Sequence, residues 1–256
     1  MQVTILGCGG SGGVPLIGNR WGACNPQDPR NRRTRASVLI ETGTTTLLVD
    51  TSPDLRSQLL ATERWRIDAV LYTHAHADHV MGLDDLRAVN KLIGRPLPVY
   101  SDARTLDVLR KRFDYAFLPL KAPGAFFRPV LEANEITPGE VFEAAGVPVL
   151  PILQDHGFMP SLGFRVGAFA YSTDVLDLDE RALDALAGIR VWVVGCFQAA
   201  RHTTHASLER VLGWVSRLAP ERTVLTHMGE SFDYAALAKA LPAGVEPGVD
   251  GLVIDL

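Results

Sequence analysis

Apolar positions in this chain come in short runs closed by Gly, Pro or polar turns, and in longer segments with helical spacing. The short runs predict strands at 3–6, 37–41, 46–50, 68–73, 97–101, 147–153, 162–166, 168–173, 191–194, 222–226 and 252–255. Helices fit 54–62, 84–93, 103–113, 178–187, 207–218 and 234–240. The two kinds interleave with no low-complexity linker between them, which predicts an α/β fold in one domain, 1–256. A Pro-rich middle (Pro119, Pro123, Pro129, Pro138) reads as a long, lid-like loop, and its 121–128 stretch carries no decodable specificity. Two short echoes are present. Ala69–His74 (AVLYTH) resembles Thr223–His227 (TVLTH), and Thr46–Asp50 (TLLVD) resembles Phe169–Asp174 (FAYSTD), suggesting two similar halves around a shared site.

Composition narrows the class. With 47% hydrophobic and 21% charged residues among 256, the chain has the content of a soluble globular protein with a sizeable core. No run approaches the ~20 apolar residues of a membrane span, so no membrane association is expected. The start, Met1-Gln2-Val3-Thr4-Ile5, lacks a basic region before its apolar residues, and a cytoplasmic location without a signal peptide is the expectation. Cys8, Cys24 and Cys196 are too far apart for a C-x-x-C zinc site and too few for a disulfide framework. A net charge of −4 argues against a dedicated nucleic-acid binder, and no stable nucleic-acid complex is expected. Arg30, Arg32, Arg33 and Arg35, following Arg20, form the local exception: solvated loop charges, or a phosphate-attracting rim if they lie near the site.

The chemistry concentrates in Thr73-His74-Ala75-His76-Ala77-Asp78-His79, which follows the apolar run 69–72 and precedes a helical pattern through Met81, Leu83, Leu86 and Val89. Alternate side chains of an extended backbone share a face, so His74 and His76 can meet one ion. As the chain turns into the helix, Asp78 and His79 can face a second. By chance such a pattern arises in roughly one chain of this composition in three thousand, which favours a metal site over a solvated His-rich turn. Further ligands are available just past other predicted strands, at His156, Asp174 and His227.

Together these residues resemble the metallo-β-lactamase fold superfamily of metal-dependent hydrolases: Asp50, then His74-x-His76-x-Asp78-His79, then His156, Asp174 and His227. The resemblance implies a four-layered αββα sandwich with two divalent metals, Zn²⁺ or Mn²⁺, between the sheet edges. His74, His76 and His156 would hold one metal, and Asp78, His79 and His227 the other, with Asp174 bridging. Asp50 would orient a ligand histidine or the adjacent loop. A ligand set with Asp78 and no cysteine is similar to the phosphodiesterase and ribonuclease branch.

Two further stretches are similar to the phosphoribosyl cyclic phosphodiesterases of that superfamily. They are the glycine-rich loop Gly7-Cys8-Gly9-Gly10-Ser11-Gly12-Gly13 and the segment Arg201-His202-Thr203-Thr204-His205 before a helix. Those enzymes can carry a structural zinc on a cysteine cluster; only Cys24 stands in that region here. The resemblance implies a small phosphoester substrate, a cyclic ribose phosphate or nucleotide-like diester, attacked by a metal-bridging hydroxide with the metals ~3.5–4 Å apart. Asp78 would take part in catalysis, and His205 would protonate or hydrogen-bond the leaving oxygen. His202 would support it or touch substrate. Ser11, Gly12, Gly13 and Arg20 are candidate substrate contacts. The rivals are a ribonuclease Z-like nuclease, a carbonyl ester or thioester hydrolase, and a non-catalytic metal-binding accessory protein. A homodimer is compatible with a hydrolase of this size, though no residue specifies one.

Overall fold

A computed structural model describes residues 1–120 and 126–256. Its first sheet is built from β1 (Gln2–Gly7), β2 (Ser37–Thr42), β3 (Thr45–Val49), β4 (Ala69–Leu71), β5 (Leu97–Ser101), β6 (Leu131–Glu135) and β14 (Val253–Asp255), in the order β14-β1-β2-β3-β4-β5-β6. The second holds β7 (Phe142–Ala144), β8 (Val147–Asp155), β9 (Pro160–Val166), β10 (Phe169–Ser172), β11 (Val191–Gly195), β12 (Arg222–Thr226) and β13 (Val245–Pro247), in the order β13-β12-β11-β10-β9-β8-β7.

Alternation decides what each strand face buries. Val38 and Ile40, Leu47 and Val49, and Ala69 and Leu71 point between the sheets, where they share a core with Val149, Ile152, Phe164 and Val193. Their neighbours Leu39, Leu48 and Val70 point outward, onto Leu55 and Leu59 of α1 (Leu55–Thr62), Leu86 and Val89 of α3 (Leu86–Ile93), and Leu106 and Leu109 of α4 (Ala103–Arg112). On the far side, α5 (Glu180–Leu186), α6 (Leu208–Leu218) and α7 (Tyr234–Ala240) cover the second sheet, with Trp214 of α6 facing Trp192. The result is the four-layered αββα sandwich. Among the described residues no helix is long and apolar enough to cross a membrane.

The two sheets repeat one plan. From β14 and from β7, each runs through three antiparallel pairings and then three parallel ones. Asp50 and Asp174 follow β3 and β10, the fourth and central strand of each sheet, so that echo is a structural equivalence. The Thr-His echo is not, because β4 is the fifth strand of its sheet and β12 the sixth.

Three strands escape the apolar pattern: β6, β7 and β13, all at sheet edges. An edge strand pairs on one side only and tolerates polar residues, as in Leu131-Glu132-Ala133-Asn134-Glu135. The Pro-rich middle is therefore not one long loop. It contains β6 and is flanked by a 3₁₀ turn at Asp114–Phe117 and by β7, while Pro123 and the 121–125 part of the lid-like stretch lie outside the described residues. The helix expected over 84–93 is α3, entered through a 3₁₀ turn at Leu83–Asp85, and a short helix not expected there, α2 (Ala77–Val80), precedes it.

Candidate metal centre

Side chains meet where the strands of both sheets end. Asp50, Asp174 and His227 adopt φ of +62°, +49° and +54°, the left-handed region that costs a non-glycine residue about 1–2 kcal/mol. The strain sits just past β3, β10 and β12 and bends each side chain back toward the gap between the sheets. All seven histidines of the chain join one connected set of rings there, running from His76 and His156 through His74, His79 and His227 to His205 and His202.

The donor atoms sort into two groups, each with its atoms within 4.8 Å of one another. One comprises His74, His76, His156 and Asp174; the other comprises Asp78, His79, Asp174 and His227. In the first, His74 Nε2 stands 2.9 Å and His156 Nε2 3.4 Å from His76 Nδ1. Asp174 serves both groups with different oxygens. Its Oδ1 lies 3.9 Å from His74 Nε2 and 3.6 Å from His156 Nε2, and its Oδ2 lies 3.1 Å from His79 Nε2 and 3.3 Å from His227 Nε2. Asp78 Oδ2 is 3.3 Å from both His79 and His227.

The outer nitrogens are committed, which leaves the inner ones to face the two donor groups. His79 Nδ1 donates to Asp50 Oδ2 at 2.6 Å. The Thr73 hydroxyl donates to the same oxygen at 2.7 Å and lies 3.0 Å from His74 Nδ1, whose proton it accepts. His156 Nδ1 donates to the Thr204 carbonyl at 2.8 Å. Arg112 of α4 donates to the Ala75 carbonyl at 2.6 Å and pins the loop between His74 and His76. Thr73, Thr204 and Arg112 are supports that the sequence reading missed. The signal available for Thr73 was its place directly before His74 at a strand end.

This arrangement calls for positive charge. His79 Nε2 is buried with no hydrogen-bond partner while it faces two carboxylates, an arrangement that favours a cation or a proton. Burial alone would lower the His79 pKa, but Asp174, Asp78 and Asp50 raise it well above the imidazole range. Burial would raise Asp174, yet His227 and His79 hold it well below the carboxylate range. Burial and the neighbouring His79 push His74 down, so its lone pair stays free. Imidazole and carboxylate donors converging without a thiolate fit two divalent cations such as Zn²⁺ or Mn²⁺.

Around this cluster, His205 lies 5.1 Å from the His156 ring and 4.9 Å from the His227 ring. Burial, then His227, brings its pKa down to about 3, so it is neutral at pH 7. His202 stacks behind it at 5.0 Å and accepts from the Thr204 N–H at 3.3 Å. Both border a cavity of about 520 Å³ that Asp155, Asp177, Arg201 and Arg210 also line. Arg201, next to His202 in sequence, and Arg210 were not among the expected contacts.

The glycine-rich loop runs beside this site, and its backbone is largely spent. The Gly9, Gly10 and Gly13 amides donate to the carbonyls of Thr34, Met228 and Gly10, leaving the exposed Ser11 and Gly12 as its outward part. Arg20 is exposed at a Leu16–Arg20 bridge, and among the described residues it contacts no member of the cluster. The arginine cluster divides: Arg32 stays exposed over the Trp21 ring, while Arg30, Arg33 and Arg35 are tied to protein groups. Arg33 is 2% exposed and donates to the carbonyls of Gly229 and Phe232; Arg30 pairs with Asp28, and Arg35 with Asp54.

Fold and donor set together are those of the metallo-β-lactamase fold. The chain belongs to the beta-lactamase superfamily, whose domain model matches residues 45–228. It is similar to the crystal structure of a diphosphatase from the PhnP family, at 31% identity and a TM-score of 0.90 over 100% of this chain and 97% of that one. It is also 34% identical, over 98% of its length, to an octanoyltransferase of Porphyromonas gingivalis, of which it covers 51%. A ribonuclease Z of Anoxybacillus flavithermus is 32% identical over 65% of this chain and 48% of its own. The chain thus spans about half the length of these last two relatives.

Proposed function

We propose that the chain is a binuclear metal-dependent phosphodiesterase acting on a small phosphodiester, a cyclic ribose phosphate or a nucleotide-like diester. The observation that carries this is Asp174, whose two oxygens each face one of two donor groups that contain no sulfur. His74, His76 and His156 with Asp174 Oδ1 would hold one cation, and Asp78, His79 and His227 with Asp174 Oδ2 the second. When bound, the pair supplies Lewis acidity toward phosphoryl oxygens and a water acidified enough to act as nucleophile near pH 7.

The protein's own side chains do the rest. Asp50 and Thr73 hold the Nδ1 protons of His79 and His74, so that Nε2 is the nitrogen each ring turns to a cation. His205 is neutral, so it meets the leaving oxygen as an N–H hydrogen-bond donor rather than as an imidazolium acid. The cavity beside His202 and His205 receives the departing group, with Arg201 at its wall. The full-length likeness to a diphosphatase supports phosphorus over carbon as the centre attacked. Processing of folded RNA is less well supported, because the ribonuclease Z match covers 65% of the chain and the net charge is −4.

A second reading, hydrolysis at an acyl carbonyl, is favoured by the 34% identity to half of a protein named octanoyltransferase. One assay separates the two. Protein loaded separately with Mn²⁺ and Zn²⁺ is given bis-p-nitrophenyl phosphate and an octanoyl thioester, with metal content measured in parallel. Chelator-sensitive turnover of the diester with about two metals per chain is expected. Thioester turnover alone would overturn the phosphodiesterase reading, and two metals with neither activity would indicate an accessory binding protein.

A further inference from the structure

His205 is held by packing. Among the described residues neither of its ring nitrogens has a hydrogen-bond partner, whereas His74, His79 and His156 are each tied by one. Its orientation therefore depends on the rings around it, and one of these is not a histidine. Phe197, just past β11, has its ring centroid 5.2 Å from His205 at an interplanar angle of 31°. It also lies 5.3 Å from His202 and 6.2 Å from His227.

The surrounding backbone is shaped to admit this ring. A Cβ on Gly10 would fall 2.8 Å from the Phe197 ring, and one on Gly229 3.1 Å from it. The Gly229 amide donates to the Phe197 carbonyl at 2.9 Å, and the Gly10 amide donates to the Met228 carbonyl at 3.1 Å. The phenyl group is thus clamped between the glycine-rich loop and the residues after His227. Two of the glycines are needed because the ring passes there.

We propose that Phe197 is a positioning residue, a fixed aromatic wall that sets the plane of His205 so that its N–H points at the leaving oxygen. This rests on the phosphodiesterase reading above. An aromatic face suits the task because it offers an imidazole a broad rigid surface and has a narrow set of rotamers, whereas an aliphatic side chain of similar bulk leaves the imidazole free to swing.

The test has two independent arms. In metal-free protein, NOEs between the ring protons of His205 and those of His156 and His227 report the His205 ring plane; they are expected to change in Phe197→Leu and to stay near their wild-type intensities in Phe197→Tyr. In metal-loaded protein, kcat is compared on bis-p-nitrophenyl phosphate, whose leaving group needs little help, and on 2′,3′-cyclic adenosine monophosphate, whose leaving group is a poor alkoxide. Phe197→Leu is expected to lose about ten-fold or more in kcat on the cyclic nucleotide, with KM and metal content unchanged, and under about two-fold on the activated diester. Phe197→Tyr restores the rate, and adding Phe197→Leu to His205→Ala costs nothing further.

Equal losses on both substrates, additivity with His205→Ala, or unchanged His205 ring NOEs in Phe197→Leu would each overturn the proposal. Should leucine cost the fold, Phe197→Met serves as the second aliphatic variant under the same criteria. A wild-type protein that hydrolyses neither diester refutes the phosphodiesterase reading instead, and the ring NOEs still decide whether Phe197 sets the His205 ring.

Discussion

The Asp50 carboxylate accepts the Nδ1 proton of His79 at 2.6 Å, and through the Thr73 hydroxyl it also reaches Nδ1 of His74. One carboxylate that belongs to neither donor group thereby sets the tautomer of a histidine in each. Asp50→Asn keeps the size but loses the second acceptor oxygen and the charge. Metal affinity is expected to fall about 10–100-fold with the fold retained, the usual cost of losing such a partner. Metal competition titrations against a fluorescent chelator read this directly, and an unchanged affinity would refute the tautomer role.

Among the described residues, Asp174 is the one carboxylate shared by both donor groups. Asp174→Ala should lower bound metal from about two per chain to one or fewer and abolish turnover. Metal analysis after gel filtration checks the stoichiometry. Two retained metals would show that His and Asp78 suffice. Removing the metals from wild-type protein should also lower Tm, because ligands that bind only the folded state stabilise it by mass action.

How much of this was legible in the sequence follows from where the information lies. His74, His76, Asp78 and His79 fall within six residues, so local spacing alone brings them together. His156, Asp174 and His227 are far apart in the chain but share a local sign, a polar ligand type just past an apolar strand. The supports have no such sign. Thr204 acts through its backbone carbonyl, Arg112 reaches Ala75 from a helix 37 positions away, and Phe197 reads as an ordinary apolar residue. The edge strands were hidden for a different reason, since polar residues are tolerated where a strand has one free side. Arg33 was misread because burial of a charge is decided by tertiary carbonyls that no local pattern records.

Those carbonyls make Arg33 a brace. Its guanidinium donates to Phe232 O at 2.7 Å and Gly229 O at 3.1 Å, and to Asn31 Oδ1 at 3.3 Å, holding the loop that follows His227. Lysine cannot form that fork, so Arg33→Lys should destabilise the protein by about 2–3 kcal/mol, a charged hydrogen-bond set partly unmade in a dry site. Urea denaturation at pH 7 measures the loss. A change below about 0.5 kcal/mol would mean the loop is held by other contacts.

Alkaline stability should depend on the buried thiols. Burial pushes the Cys196 pKa up to about 12, and burial with Asp250 raises that of Cys8 well above the thiol range. In the unfolded chain a thiol ionises near ~8.5, so between that value and the folded pKa the unfolded state binds fewer protons than the native one. The contribution is therefore complete below about pH 8.5 and is lost as pH rises toward 12, at up to about 1.4 kcal/mol per pH unit for each thiol. Tyr72 and Tyr171, also raised by burial, add to the slope only above the ordinary phenol value of about 10. Urea midpoints measured at pH 7, 9 and 10 should fall steadily from pH 9 upward in wild type and less steeply in Cys196→Ala. Identical slopes for the two proteins would show that Cys196 ionises as readily folded as unfolded.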